Sequence, residues 1–374
     1  MGLSLIVAAM LVVAGISPAV ADTDVAAPTI VSSSVNATSL DVSAAPARLL
    51  FNVRLADDTA VGSFHARFIH PGSGQYYYFP NFIKTSGTLQ NGVWRSEINL
   101  PQGVASGDWA IEIFGLEDSL KNAACCFLNV RSIKVASGSA DVAPPVLVSN
   151  AVSSTTFDVT NAPARLLLNI RVSDATAVGS FHVRFIHPGT GQYYFMPNPV
   201  LTSGTLQNGV WRTEREVPQG IASGQWMIQV FGLEDTLKNA ACCFLDVRPI
   251  TVVSGATTDT APPQIVSSAV SSTSLDVATA PAKLTVSIRV TDETAVQGFH
   301  VRFIHLPTGQ YYYFPNPTLV SGNAQNGVWR TALTLPQGVA NGAWTIQAFG
   351  LEDVVKNAAC CFLDVRNINV NSSA

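Results

Sequence analysis

Hydrophobic residues alternate with polar ones along most of this chain. Leu49, Phe51, Val53 and Leu55 are separated by Leu50, Asn52 and Arg54. Phe64, Ala66 and Phe68 alternate with His65, Arg67 and Ile69, and Trp109, Ile111 and Ile113 with Ala110, Glu112 and Phe114. A period of two belongs to half-buried antiparallel strands, in which successive side chains point to opposite faces. Pro71-Gly72, Asn91-Gly92, Pro101-Gln102-Gly103 and Gly107 punctuate the runs as turns. Strands are expected near Thr29–Val42 and over Arg48–Ala56, Ser63–His70, Gln75–Phe79, Val93–Leu100, Asp108–Leu116 and Cys126–Val135. No segment beyond the N-terminal apolar run carries helical periodicity.

The whole pattern is written three times. Gly-Gln-Tyr-Tyr begins at Gly74, Gly191 and Gly309, and Lys-Asn-Ala-Ala-Cys-Cys-Phe at Lys121, Lys238 and Lys356. The interval is 117 residues from Gly74 to Gly191 and 118 from Gly191 to Gly309. That is the length of a domain with its own core, not of a solenoid repeat of about 20–50 residues. The sequence divides into residues 1–21, 22–140, 141–257 and 258–374. Short linkers end in Asp-Val-Ala-Pro-Pro or a variant of it, and their proline predicts semi-rigid beads; three units in a row, each folding by itself, are expected. Roughly seven or eight short strands per repeat describe an immunoglobulin-like β-sandwich. The expected fold class is all-β, with three tandem sandwiches after an N-terminal signal peptide.

The signal peptide is read from Leu3 to Ile16, an uncharged apolar run, followed by Ser17-Pro18 and by small residues up to Ala21. It places the mature chain outside the cytoplasm, secreted or on the cell surface, without a membrane span. Formal charge is −4 and no basic cluster is present, which argues against a nucleic-acid partner.

The order Phe-Ile-His-Pro-Gly-Ser-Gly-Gln, Asn-Gly-Val-Trp, Leu-Pro-Gln-Gly-Val-Ala-Ser-Gly-Asp-Trp and Glu-Asp-x-x-Lys-Asn resembles the bacterial immunoglobulin-like modules found in tandem in secreted and cell-surface proteins. The resemblance implies spacers, adhesion units or accessory domains. The chain departs from it at the late loop, where Lys121 stands in place of the family's glycine, and in the double cysteine that follows.

In such a sandwich the loops after the second and sixth strands meet the start of the first. That brings Asp24, Asp57, Asp118 and Asn122 together in the first repeat. The second assembles Asp141, Asp174, Asp235 and Asn239, and the third Asp259, Asp292, Asp353 and Asn357. Oxygen donors of this kind suit Ca²⁺. The same residues also serve as turn formers that bond their own backbone. Cys125-Cys126, Cys242-Cys243 and Cys360-Cys361 are the only cysteines. No bridge between distant strands of one repeat is possible, which leaves vicinal disulfides, packed thiols or cross-links to another domain or chain; an oxidising compartment favours the first.

Tyr76, Tyr77 and Tyr78 recur as Tyr193 and Tyr194 and as Tyr311, Tyr312 and Tyr313. Alternation turns about half of them outward, where they suit a sugar ring or a protein partner. The histidines of each repeat face opposite sides, and no nucleophile elbow or phosphate loop is present. The sequence therefore points to a non-catalytic structural or adhesion protein, a spacer or interaction array whose partner is a cell-surface protein or glycan. The alternative is a carbohydrate-binding module using the tyrosines.

Overall fold

The structure is a computed structural model that describes residues 24–255 and 259–372. The proposed signal peptide lies outside the described residues. The described residues are all-β, with 27 strands in six sheets that form three repeated units. In the first unit the strands are β1 (Thr29–Val35), β2 (Ser39–Asp41), β3 (Ala47–Ala56), β4 (Val61–Ile69), β5 (Tyr76–Tyr78), β6 (Ile83–Gly87), β7 (Asn91–Leu100), β8 (Gly107–Asp118) and β9 (Leu128–Ala136). One sheet runs β1-β3-β7-β6, the other β2-β9-β8-β4-β5.

The inner alternating set does what its period requires. Leu49, Phe51, Val53 and Leu55 of β3 and Trp109, Ile111 and Ile113 of β8 are fully buried between the two sheets. Two features depart from the sequence reading. The expected single first strand is two strands, one in each sheet, because Asn36 ends β1 with its own side chain: it accepts from Leu50 N–H and donates to the Arg48 carbonyl. β2 then pairs parallel to β9. The unexpected strand β6 is an edge strand exposed throughout, so it carries no burial alternation.

A bulge in β8 positions the later site. His65 pairs with Phe114 while Ser63 pairs with Glu117, so β8 holds one extra residue. Gly115 sits there at φ 58°, a left-handed conformation glycine adopts without penalty. Inward parity shifts from Ile111 and Ile113 to Leu116 and Asp118. Without the bulge, Glu117 would face inward and Asp118 outward.

The three units do not form a linear row; they close on one another. At the first junction Tyr77 donates to the Leu237 carbonyl at 3.2 Å, and Gln75 Nε2 to the Asp141 carbonyl at 3.0 Å. Tyr194 repeats this on Val355 and Gln192 on Asp259. The third unit then returns to the first: Tyr312 donates to the Leu120 carbonyl at 3.0 Å and Gln310 to the Asp24 carbonyl at 3.3 Å. Leu237 joins the core of the first unit and Leu120 that of the third. Each unit thus carries one donor and one acceptor surface, and a head-to-tail contact repeated with a constant rotation closes into a ring after three steps. The prolines in the linkers set local backbone geometry; the linker-independent surfaces set the arrangement.

Candidate metal centres at the unit junctions

Asp24 lies just before β1, Asp57 just after β3 and Asp118 at the end of β8. One carboxylate oxygen of each lies within 4.8 Å of the others. Asp141, Asp174 and Asp235 form the same cluster in the second unit, and Asp259, Asp292 and Asp353 in the third. Each cluster is an arrangement able to hold a metal ion.

The carboxylates also form turns through one oxygen, and Asp118 accepts with both. Asp57 Oδ1 accepts from Thr59 N–H and Ala60 N–H, and Asp24 Oδ1 from Ala26 N–H. Asp118 Oδ1 accepts from Asn122 N–H at 2.8 Å. Asp24 Oδ2 and Asp141 Oδ2 are buried and accept no hydrogen bond. In the third unit the equivalent oxygen of Asp259 accepts from Thr294 Oγ1 at 2.9 Å.

Asn122 ties the cluster together. Its Nδ2 donates to Asp118 Oδ2 at 2.6 Å and to the Asp24 carbonyl at 3.0 Å. Its Oδ1 is left without a donor although the residue is only 2% exposed, and Asn239 and Asn357 repeat this. Among the described residues no lysine or arginine pairs with any of the nine aspartates. Nearby Lys121 pairs with Glu117 instead. Lys121 takes φ 69°, a left-handed conformation that glycine adopts without penalty.

Electrostatics follow from burial without a counter-charge. Desolvation pushes the Asp118, Asp235 and Asp353 carboxyls up, and the neighbouring aspartates add to it against the hydrogen bonds from the asparagines. Asp353 is pushed up to about 6. A folded-state value above the unfolded one means that the native state binds the proton more tightly. This group's contribution is therefore fully present below about 4 and is lost as pH rises through about 6. The metal-free wild type is expected to lose melting temperature across that interval relative to Asp353→Asn, measured by calorimetry in chelator. Parallel curves would refute the assignment.

The tyrosines separate by parity. Tyr77, Tyr194 and Tyr312 turn inward and are consumed by the junctions; burial pushes their phenols up, so they remain donors. Tyr76 and Tyr78 lie on the other face and meet edge-on at 5.1 Å; Tyr78 is exposed, whereas Tyr76 is half-buried and donates to Glu234 of the second unit at 3.4 Å. Tyr78 continues to Phe114 at 5.9 Å and Phe114 to Phe127 at 5.1 Å, with the Arg67 guanidinium 3.8 Å over the Phe127 ring. Tyr193, Phe195, Phe231, Phe244 and Arg184 repeat the strip. So do Tyr311, Tyr313, Phe349, Phe362 and Arg302.

The cysteine pairs Cys125–Cys126, Cys242–Cys243 and Cys360–Cys361 are vicinal disulfides in the loop between β8 and β9 and its counterparts. Sequence reasoning missed Gln75 and Leu120 with their copies. The only signal for Gln75 was its place in a thrice-repeated Gly-Gln-Tyr-Tyr. No protein-family model and no curated protein matches this chain.

Proposed function

We propose that this is an exported, non-catalytic interaction protein whose three immunoglobulin-like sandwiches are closed into a ring clamped by Ca²⁺ at each junction. The carrying observation is positional. The loop that supplies Asp118 and Asn122 also sends Leu120 into the neighbouring core, and the Asp24 carbonyl is bonded from both units. The same holds for Asp141, which Asn239 and Gln75 both contact. Three carboxylates within reach of one another are hard donors of the kind Ca²⁺ selects. A ring shortens rather than lengthens a chain, which favours an interaction array over a spacer.

Extracellular modules hold Ca²⁺ with Kd on the order of 10⁻⁴–10⁻³ M, so millimolar Ca²⁺ contributes about 0.4–1.4 kcal/mol per site. Titration calorimetry is expected to give three sites per chain and two in Asp174→Asn, a change that keeps the side-chain shape. Absence of binding at millimolar Ca²⁺ would reduce the clusters to turn formers.

The aromatic strip supports a second reading, a carbohydrate-binding surface. Tyr78 is 56% and Phe127 50% exposed although both touch neighbouring rings at tilted or edge-on angles, which leaves ring surface open to a sugar. Phe195 replaces Tyr78 in the second unit, so the ring face persists where the hydroxyl does not. Polysaccharide pull-down with wild type and Tyr78→Ala tests it. Retention by wild type alone supports a glycan partner, and equal or absent retention removes it.

A further inference from the structure

We propose that the three vicinal disulfides are thiol-exchange sites that lock the ring junctions, and that a dithiol reductant loosens the ring by opening them. This goes beyond the Ca²⁺ reading and does not depend on it.

The argument begins with access. All six cysteines are exposed, so an incoming thiolate reaches the sulfurs without unfolding the unit. Place in the loop comes next. The segment from Asp118 to Leu128 has two halves. The first carries Leu120, whose side chain enters the third unit's core and whose carbonyl accepts from Tyr312. It also carries Asn122, which bonds Asp118 and the Asp24 carbonyl. The second half is closed by Cys125–Cys126 and anchored beyond it by Phe127, which packs on Phe114 and beneath Arg67. Backbone bonds hold the first half to the end of β8, from Asp118 N–H to the Asn122 carbonyl and from Lys121 N–H to the Asp118 carbonyl, and the pairing of Glu117 with Ala123 and the Ala124 N–H to Leu116 carbonyl bond tie the start of the second half.

Backbone conformation supplies the third observation. Cys126, Cys243 and Cys361 sit at φ 67–70°, a region a non-glycine residue holds only when its surroundings impose it. At each of these cysteines the left-handed turn coincides with the covalent bond to the preceding residue. Lys121, Lys238 and Lys356 share this region in the junction-forming half. Breaking the bond frees the cysteine backbone to return to negative φ. The loop then no longer presents Leu120 and its carbonyl in one fixed position.

The chemistry balances. A thiolate of the dithiol attacks one sulfur, the Cys–Cys bond breaks, and a mixed disulfide forms. The second thiol of the dithiol then displaces it. The two cysteines leave as thiols carrying the two protons, and the reductant leaves as a cyclic disulfide, oxidised by two electrons.

The test uses the full chain with a protease site inserted after Gly138. Once cut, the first unit is held to the other two only through its two junctions. Dissociation on dilution is followed by size-exclusion chromatography in chelator, so that the outcome is independent of metal binding. Mass spectrometry of the alkylated protein counts the thiols. Treatment with dithiothreitol is expected to weaken the association by on the order of tenfold or more, the scale associated with releasing a left-handed non-glycine residue. A chain with all six cysteines replaced by serine should match the reduced protein and ignore the reductant. Full reduction with unchanged association would overturn the proposal. So would disulfides that resist millimolar dithiothreitol in the folded ring.

Discussion

Leu120→Ala is expected to open the ring, whereas Leu237→Ala is expected to leave it closed. The two residues occupy equivalent places, each a loop leucine at most 8% exposed that is packed into a neighbouring unit's core. Truncation removes the same burial in both and costs about 2–4 kcal/mol. The difference lies in what else holds the junction. Leu237 serves the contact between the first and second units, which are joined by the linker at residues 137–140. A short tether keeps such partners at an effective concentration in the millimolar range. Leu120 serves the contact between the third and first units, where no adjacent peptide assists Tyr312 and Gln310. Small-angle scattering should therefore show a larger maximum dimension for Leu120→Ala alone, while both variants melt earlier. Equal dimensions in the two variants would mean that closure does not rest on this contact.

Gln192→Leu is expected to cost about 2–4 kcal/mol, a large effect for a residue outside any apolar cluster. Gln192 is fully buried; its Oε1 accepts from Ala222 N–H at 2.7 Å, and its Nε2 donates to the Asp259 carbonyl at 3.0 Å. Leucine fills a similar volume and makes neither bond. The Asp259 carbonyl keeps Asn357 as a donor, but the Ala222 N–H is left buried and unpaired. The shift should appear in the denaturant midpoint with little change in slope. A stability loss of less than about 0.5 kcal/mol would show that water replaces the side chain there.

Strands and core were legible because they are periodic. The inner residues of β3 and β8 announce themselves by alternation, and the loops that carry Asp57 and Asp118 follow from where those strands end. β6 was not legible, because an edge strand exposed on both faces has no period to read. The inward turn of Asp118 depends on the extra residue at Gly115, which interrupts the alternation instead of extending it. Ring closure was least legible of all. Leu120 looks in sequence like any leucine in a polar loop, and its partner surface lies in the third unit. Complementarity between distant surfaces leaves no local pattern. The one trace was that the same apolar position, Leu120, Leu237 and Val355, recurs in each loop.

A donor surface and an acceptor surface on every unit define more than a shape. A single unit of this design would assemble as a cyclic homotrimer, and every substitution in it would appear three times around the axis. Joining the copies in one polypeptide fixes their number and order and removes that constraint. The copies have used the freedom. Arg67 pairs with Glu112, whereas Arg184 and Arg302 bond the neutral Gln229 and Gln347. Asp259 accepts from Thr294, whereas its counterparts Asp24 and Asp141 keep an oxygen free. Threefold architecture with separately varying faces lets one molecule hold three chemically different surfaces at fixed spacing.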